Sequence, residues 1–318
     1  METVVSEENS NEMVAKPHDA VTVILVRDEG RKPFEVFLMR RHKNLKFMGG
    51  AYVFPGGGLD EEDCNTGLGA YARGLSAEEA KRKLNEPDIS GETALGLFFA
   101  AVRETFEEAG ILIAASPEAG ELNFNDTEAY NRFDKYRKKI YTQEMSLKDL
   151  AQKENLLFRF DLLMPYAHWI TPEFRDKRFD TRFLLAQMPR MQKPIHDSIE
   201  MTESLWLTPE EALEQKESKK ILLMPPTLKT IQELSQFSSI DQLFAVISSR
   251  RIQPILPQRF FTEYGFGVKL PYDPEYSISK YKQPPRPDEP SRVIIADNRN
   301  KDIRFDESKI DGFIKFQQ

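Results

Sequence analysis

Arg103-Glu104-Thr105-Phe106-Glu107-Glu108-Ala109-Gly110 puts three carboxylates where a helix least favours them. Ala100-Ala101-Val102 leads in with good helix formers, and Gly110 reads as the residue just past the helix end. Glu104, Glu107 and Glu108 are then related by i+3 and i+4 and share one face. Each like-charge pair costs roughly 0.2–0.5 kcal/mol on an isolated helix. The negative end of the helix dipole adds to that cost. Arg103 faces Glu107 at i+4 and offsets part of the repulsion. A bound divalent cation removes the conflict, since clustered carboxylate oxygens suit Mg²⁺ or Mn²⁺. Taken alone, the stretch reads equally well as a solvated acidic face.

Upstream, the apolar Ala51-Tyr52-Val53 reads as a strand entering a glycine-rich loop, Phe54-Pro55-Gly56-Gly57-Gly58-Leu59-Asp60. Gly56, Gly57 and Gly58 allow backbone N–H groups to approach an anionic ligand closely. Together the two segments resemble the Nudix hydrolase signature, G-x5-E-x7-R-E-U-x-E-E-x-G-U, where U is bulky and apolar. Gly57 matches the opening glycine, and Arg103, Glu104, Glu107, Glu108, Gly110 and Ile111 match the second half. Thr105 departs from the first U. The pattern sets its arginine 14 residues after the glycine; here the interval from 57 to 103 is 46, an insertion of 32. Eight residues before Arg103, where the family carries its first glutamate, stands Leu95. Glu92 is the nearest acidic candidate on the helix, which Ser90-Gly91-Glu92 can open, and that role stays open. The insert has its own helix start, the capping box Ser76-Ala77-Glu78-Glu79. A box interrupted in this way resembles the acyl-CoA diphosphatase branch of the superfamily.

A second pattern is similar to one carried by CoA-cleaving Nudix enzymes, L-L-T-x-R-[SA]-x3-R-x3-G-x3-F-P-G-G. Arg41, Gly50 and Phe54-Pro55-Gly56-Gly57 match by spacing, Lys46 replaces an arginine, and the threonine and small residue are absent. Arg and Lys neutralise phosphates well, and CoA bears a diphosphate and a 3′-phosphate. The alternative for Arg40-Arg41-His42-Lys43 is a solvated basic turn. The resemblance implies catalytic roles for Arg103, Glu104, Glu107 and Glu108, with Glu104, Glu107 and Glu108 as ligands of Mg²⁺ or Mn²⁺. It implies substrate binding by Arg40, Arg41, Lys46, Gly56, Gly57 and Gly58. Nudix enzymes often carry an extra metal ligand or base ahead of the last strand, where Glu200 and Glu203 precede Trp206; Glu200 is the choice here. Trp169 either stacks a substrate base or packs in the core. Arg178 and Arg182 either hold a phosphate or pair with Asp180.

Composition fits a globular enzyme: 318 residues, 40% hydrophobic, net charge −7. The acidity argues against nucleic acid as the main partner. Cys64 is alone and precludes an intrachain disulfide. No apolar run reaches the ~18–20 residues of a membrane span. Met1–Lys16 lacks the apolar segment of a signal peptide, and the C-terminus lacks a Ser-Lys-Leu type peroxisomal address, so a cytoplasmic location is the expectation.

The expected organisation is a flexible tail over 1–18, a Nudix domain over 19–215, and an extension over 216–318 packed on that domain. Insertions fall at about 61–91 and 116–160, the second with helical spacing at Glu128–Tyr141 and Leu147–Asn155. Strand signals at Val21–Val26, Phe34–Met39, Leu162–Ile170, Thr181–Ala186 and Ser204–Leu207 alternate with helices, and Thr208-Pro209-Glu210-Glu211 opens another helix. The fold class is α/β, an α/β/α sandwich with a mixed sheet, helical insertions and a mainly helical or irregular extension. Helical stretches at 225–236 and 239–250 and a hairpin between Val293–Ala296 and Ile303–Phe305 are expected in the last third. The extension covers the active site or forms a homodimer interface. The implied activity is Mg²⁺-dependent hydrolysis of a nucleoside diphosphate derivative, CoA or acyl-CoA first, yielding 3′,5′-ADP and (acyl-)4′-phosphopantetheine. NADH or ADP-ribose are the enzymatic alternatives, and a non-catalytic nucleotide-binding module is the alternative of another kind.

Overall fold

The structure is a computed structural model. It describes residues 15–28, 30, 33–45, 48–118, 120–194, 201–262, 265–286 and 289–296. Two compact units emerge: residues 19–169 with 180–255, and residues 1–18, 170–179 and 256–318.

The larger unit is built on an eight-stranded mixed sheet. Its main path runs Met201–Leu207, Glu35–Arg41, His18–Arg27, Phe179–Gln187, Met164–Ile170 and Pro254–Ile255. Pro254–Ile255 pairs parallel with His168 and Trp169, whereas Glu35–Arg41 is antiparallel to its neighbours Met201–Leu207 and His18–Arg27. Val21, Val23 and Leu25 alternate onto one face and pack with Phe98, Phe99, Val102 and Phe106 of the helix Gly91–Ala109. Ile24, Val26 and Leu38 point the other way and are fully buried too, so both sheet faces are covered.

The Gly91–Ala109 helix begins at Ser90, whose side chain accepts from the Thr93 amide, and ends at Gly110 in the left-handed region. The boxes at Ser76 and Thr208 open helices at Ala77–Leu84 and Pro209–Glu217, as their spacing predicts. The second insertion holds the helices Thr127–Tyr141 and Leu147–Glu154. A separate four-stranded sheet joins the insertions, because Ala72–Arg73 pairs in parallel with Phe158–Arg159.

One local expectation changes, and another falls partly outside the described residues. Gly56–Gly58 is not a loop but a short strand, antiparallel to Ala20–Thr22. Gly56 shows why glycine is needed there: φ is +155°, and a Cβ would lie 2.3 Å from the Val21 carbonyl oxygen. Arg292–Ala296 pairs with Gly265–Lys269, which in turn pairs with Gln258–Thr262, giving the smaller unit an antiparallel three-stranded sheet. The expected partner Ile303–Phe305 lies outside the described residues. The helices Pro225–Leu234 and Ile240–Ser248 form near their expected places. No helix among the described residues is long and apolar enough to cross a membrane.

Candidate active site

Arg103 organises the carboxylates. Its side chain, 11% exposed, lies among Asp63, Asp60, Glu104, Glu107 and the Gly58 carbonyl. Nε donates to Asp63 Oδ1 at 3.0 Å and Nη2 to Asp63 Oδ2 at 2.8 Å. Nη1 donates to Glu104 Oε1 at 2.8 Å and stands 3.5 Å from Glu107 Oε2. Nη2 also holds the Gly58 carbonyl at 2.8 Å, which ties the helix to the end of the glycine strand. Burial works against the guanidinium charge, but the Asp63 hydrogen bonds and the charges of Glu104, Asp63 and Glu107 outweigh it and hold it protonated.

Asp63 is the residue that sequence reasoning missed. It sits on a short 3₁₀ turn, Glu61–Cys64, is 3% exposed, and accepts the Asp60 amide as well. Counting six positions forward from Gly57, as the G-x5-E half of the pattern requires, reaches Asp63. Counting back from Arg103 reaches Leu95 only because the insertion intervenes. The partners of Arg103 do not include Glu92, which stands in the first turn of the helix.

The glycine strand meets the helix at two points. The Gly56 amide donates to Glu108 Oε2 at 2.9 Å. A Cβ at Gly57 would lie 2.4 Å from Glu104 Oε1 and 2.6 Å from its carboxyl carbon. Gly57→Ala should therefore leave the sheet intact while displacing the Glu104 carboxylate. Since a misplacement of ~1 Å at a reacting centre costs on the order of 10²-fold, turnover should fall about that much while the melting curve barely moves. Wild-type turnover in that variant would remove the requirement for Glu104 in this position.

Among the described residues, no three His, Cys, Asp or Glu side chains stand in ready-made metal-binding geometry. Arg103 draws Asp63 and Glu104 onto its own guanidinium. The donor set itself nevertheless suits a hard divalent cation. It is all carboxylate oxygen, and the Glu104 and Glu107 side chains are each 12% exposed. Burial pushes the Glu104 carboxyl up to about 7, with Arg103 pulling the other way. Burial, reinforced by the Glu104 charge, pushes Glu107 up to about 8. These anions are under-compensated by the protein alone, which is the condition that a divalent cation relieves.

The other candidates divide. Tyr52 donates to Glu203 Oε2 at 2.7 Å, and Arg40 Nη1 stands 3.5 Å from the same oxygen. Among the described residues, the buried Nε atoms of Arg40 and Arg41 meet no hydrogen-bond partner. Trp169 is 5% exposed on the sheet, which is the packing alternative of its two readings. Arg182 binds Glu86 through two nitrogens at 2.9 and 2.6 Å and also pairs with Asp19 and Asp180. Arg178 donates to the carbonyls of Thr171 and Ala15. Both arginines are thus occupied within the protein. Lys46 and Glu200 lie outside the described residues.

Arg103 thus clamps the carboxylate helix to the glycine strand, and the chain belongs to the Nudix hydrolase family. The family model described as the NUDT19 Nudix domain matches residues 17–234. The chain is similar to the acyl-coenzyme A diphosphatase NUDT19 of Xenopus laevis, 28% identical over 284 residues, covering 76% of this chain and 71% of that protein. The human protein of the same name is 28% identical over 272 residues, covering 76% of this chain and 72% of its own length. Among solved structures, a NUDIX hydrolase from Alicyclobacillus acidocaldarius superposes with a TM-score of 0.55 at 23% identity, covering 75% of this chain and 99% of that one. That similarity carries the fold.

Proposed function

We propose that this Nudix hydrolase cleaves the diphosphate of CoA or an acyl-CoA with Mg²⁺ or Mn²⁺, releasing 3′,5′-ADP and (acyl-)4′-phosphopantetheine. The observation that carries the chemistry is the Arg103 clamp, which gathers Glu104, Glu107 and Asp63 beside the glycine strand. The substrate class rests on the relatives named acyl-coenzyme A diphosphatase. Glu104, Glu107 and Glu108 would hold the cation. A divalent cation there supplies Lewis acidity toward phosphoryl oxygen and lowers the pKa of water.

The protein's own groups do the positioning. Arg103 orients Glu104 and Glu107, and with Asp63 on its far side it stays in place as charge changes around it. The Gly56 amide fixes Glu108. Water adds to one phosphorus, the bridging P–O bond breaks, and the bridging oxygen leaves with the other phosphate. Arg41 and Lys46 would hold the 3′-phosphate, and Arg40 would be poised by Glu203 and Tyr52. The Nε atoms of Arg40 and Arg41, without a hydrogen-bond partner among the described residues, support a role for both in binding an anion.

A hydrolysis screen over CoA, acyl-CoAs, NADH, ADP-ribose and diadenosine polyphosphates tests the substrate class. Release of 3′,5′-ADP from CoA species is expected, and turnover confined to NADH or ADP-ribose would overturn it. Loss of a charged hydrogen bond costs about 1.5–3 kcal/mol. Arg41→Ala should therefore lower kcat/KM for CoA by roughly 10–100-fold while leaving 3′-dephospho-CoA nearly unchanged. Equal use of CoA and 3′-dephospho-CoA by the wild-type enzyme would remove the 3′-phosphate role from Arg41 and Lys46.

A further inference from the structure

The second insertion reaches the end of the signature helix. Arg137, on the insertion helix Thr127–Tyr141, is 8% exposed and donates from Nη1 to the main-chain carbonyl of Glu107 at 3.0 Å. That carbonyl belongs to the last turn, which carries no basic residue of its own. The neighbouring ends are closed within the chain: Gly110 donates to the Phe106 carbonyl at 3.0 Å, and Ile111 donates to that of Thr105 at 3.3 Å. The Glu107 carbonyl therefore receives its donor from another element.

Asp134 holds Arg137 in place, accepting from Nε at 3.1 Å and from Nη2 at 2.9 Å. Asp134 also pairs with Lys138 at 2.8 Å and so offsets only part of the local positive charge, but its two hydrogen bonds fix Arg137 as a donor to the turn. Phe106, Phe124, Tyr130 and Phe133 line the small cavity that it shares with Asp134 and Gly110.

We infer that Arg137 is a positioning residue, a cap supplied by the insertion that holds the Glu107–Glu108 turn in the geometry needed to bind a divalent cation. The inference rests on the reading that Glu107 and Glu108 are metal ligands. Partners that orient metal ligands change affinity by roughly 10–100-fold when removed, and the lower end applies here because the contact is to the main chain.

The test is Mn²⁺ binding to the substrate-free protein, followed by electron paramagnetic resonance, in wild type, R137M, R137K and R132A. R137M should bind Mn²⁺ about tenfold more weakly, with faster amide exchange at Gly110 and Ile111. R137K, which keeps a donor in reach, should recover part of the affinity. R132A should bind as wild type, because Arg132 pairs with Glu154 on the same insertion. Mn²⁺ affinity within twofold of wild type in folded R137M would overturn the inference while leaving the metal site standing. Failure of the wild type itself to bind Mn²⁺ would sink both. Failure of both R137M and R137K to fold would assign Arg137 to stability alone.

Discussion

Glu107→Gln is expected to abolish cation-dependent turnover and, at the same time, to make the metal-free protein more stable in alkali. A ligand that contributes several kcal/mol of charge stabilisation in the transition state is worth roughly 10³-fold or more in kcat. The stability change follows from the carboxyl, which burial raises to about 8 in the folded chain, against about 4.3 unfolded. Between those values the native state binds a proton that the unfolded state releases. The stability it contributes is complete below about pH 4 and is lost as pH rises through about 8. Glutamine carries no such proton. With chelator present, E107Q should therefore outlast wild type in urea at pH 9 and match it near pH 4. Mn²⁺ should stabilise wild type more strongly at pH 9 than at pH 6, and E107Q little at either. Full activity in E107Q would remove the catalytic assignment of the helix.

Asp63→Asn should be the most damaging single change to stability near the site. It leaves the Arg103 guanidinium buried and deprives it of the carboxylate to which Nε and Nη2 both donate. The guanidinium keeps Glu104 at 2.8 Å and Glu107 at 3.5 Å, so the cost is that of lost charged hydrogen bonds, about 1.5–3 kcal/mol, rather than of a bare buried charge. Asp60, 3.5 Å away with a half-exposed side chain, replaces only a small part of that. Activity should fall with it, because an arginine released from Asp63 is free to draw Glu104 and Glu107 further onto itself. Glu92→Gln is the matching control and should be near neutral in both respects. A loss in E92Q equal to that in D63N would return the first acidic position of the box to the helix.

What could be read in the sequence was local. Ser90, Gly110, Ser76 and Thr208 announce helix ends because capping depends on residues three or four apart. The carboxylate face of Glu104, Glu107 and Glu108 follows from the same short spacing. Asp63 was hidden by direction of counting: the insertion separates it from Arg103 by 40 positions, and only the fold closes that distance. The glycine strand was hidden because three glycines carry no strand propensity of their own; the ladder to Ala20–Thr22 makes them one. The sheet of the smaller unit was hidden by its short strands, one of which, Gly265–Lys269, carries two glycines. For Trp169, Arg178 and Arg182 the sequence left binding and internal packing or pairing both open, because it shows charge and aromaticity without the partners that absorb them.

The parallel pairing of Ala72–Arg73 with Phe158–Arg159 has a bearing on how the chain holds its structure. The ladder spans from position 72 to position 158, and the whole Gly91–Ala109 helix lies between its ends. Closing so long a span costs chain entropy, although the main sheet closes longer ones, such as the pairing of Glu35–Arg41 with Met201–Leu207. The ladder fastens the two insertions to each other across the sequence of the carboxylate helix. A change that loosens either insertion is therefore expected to loosen both.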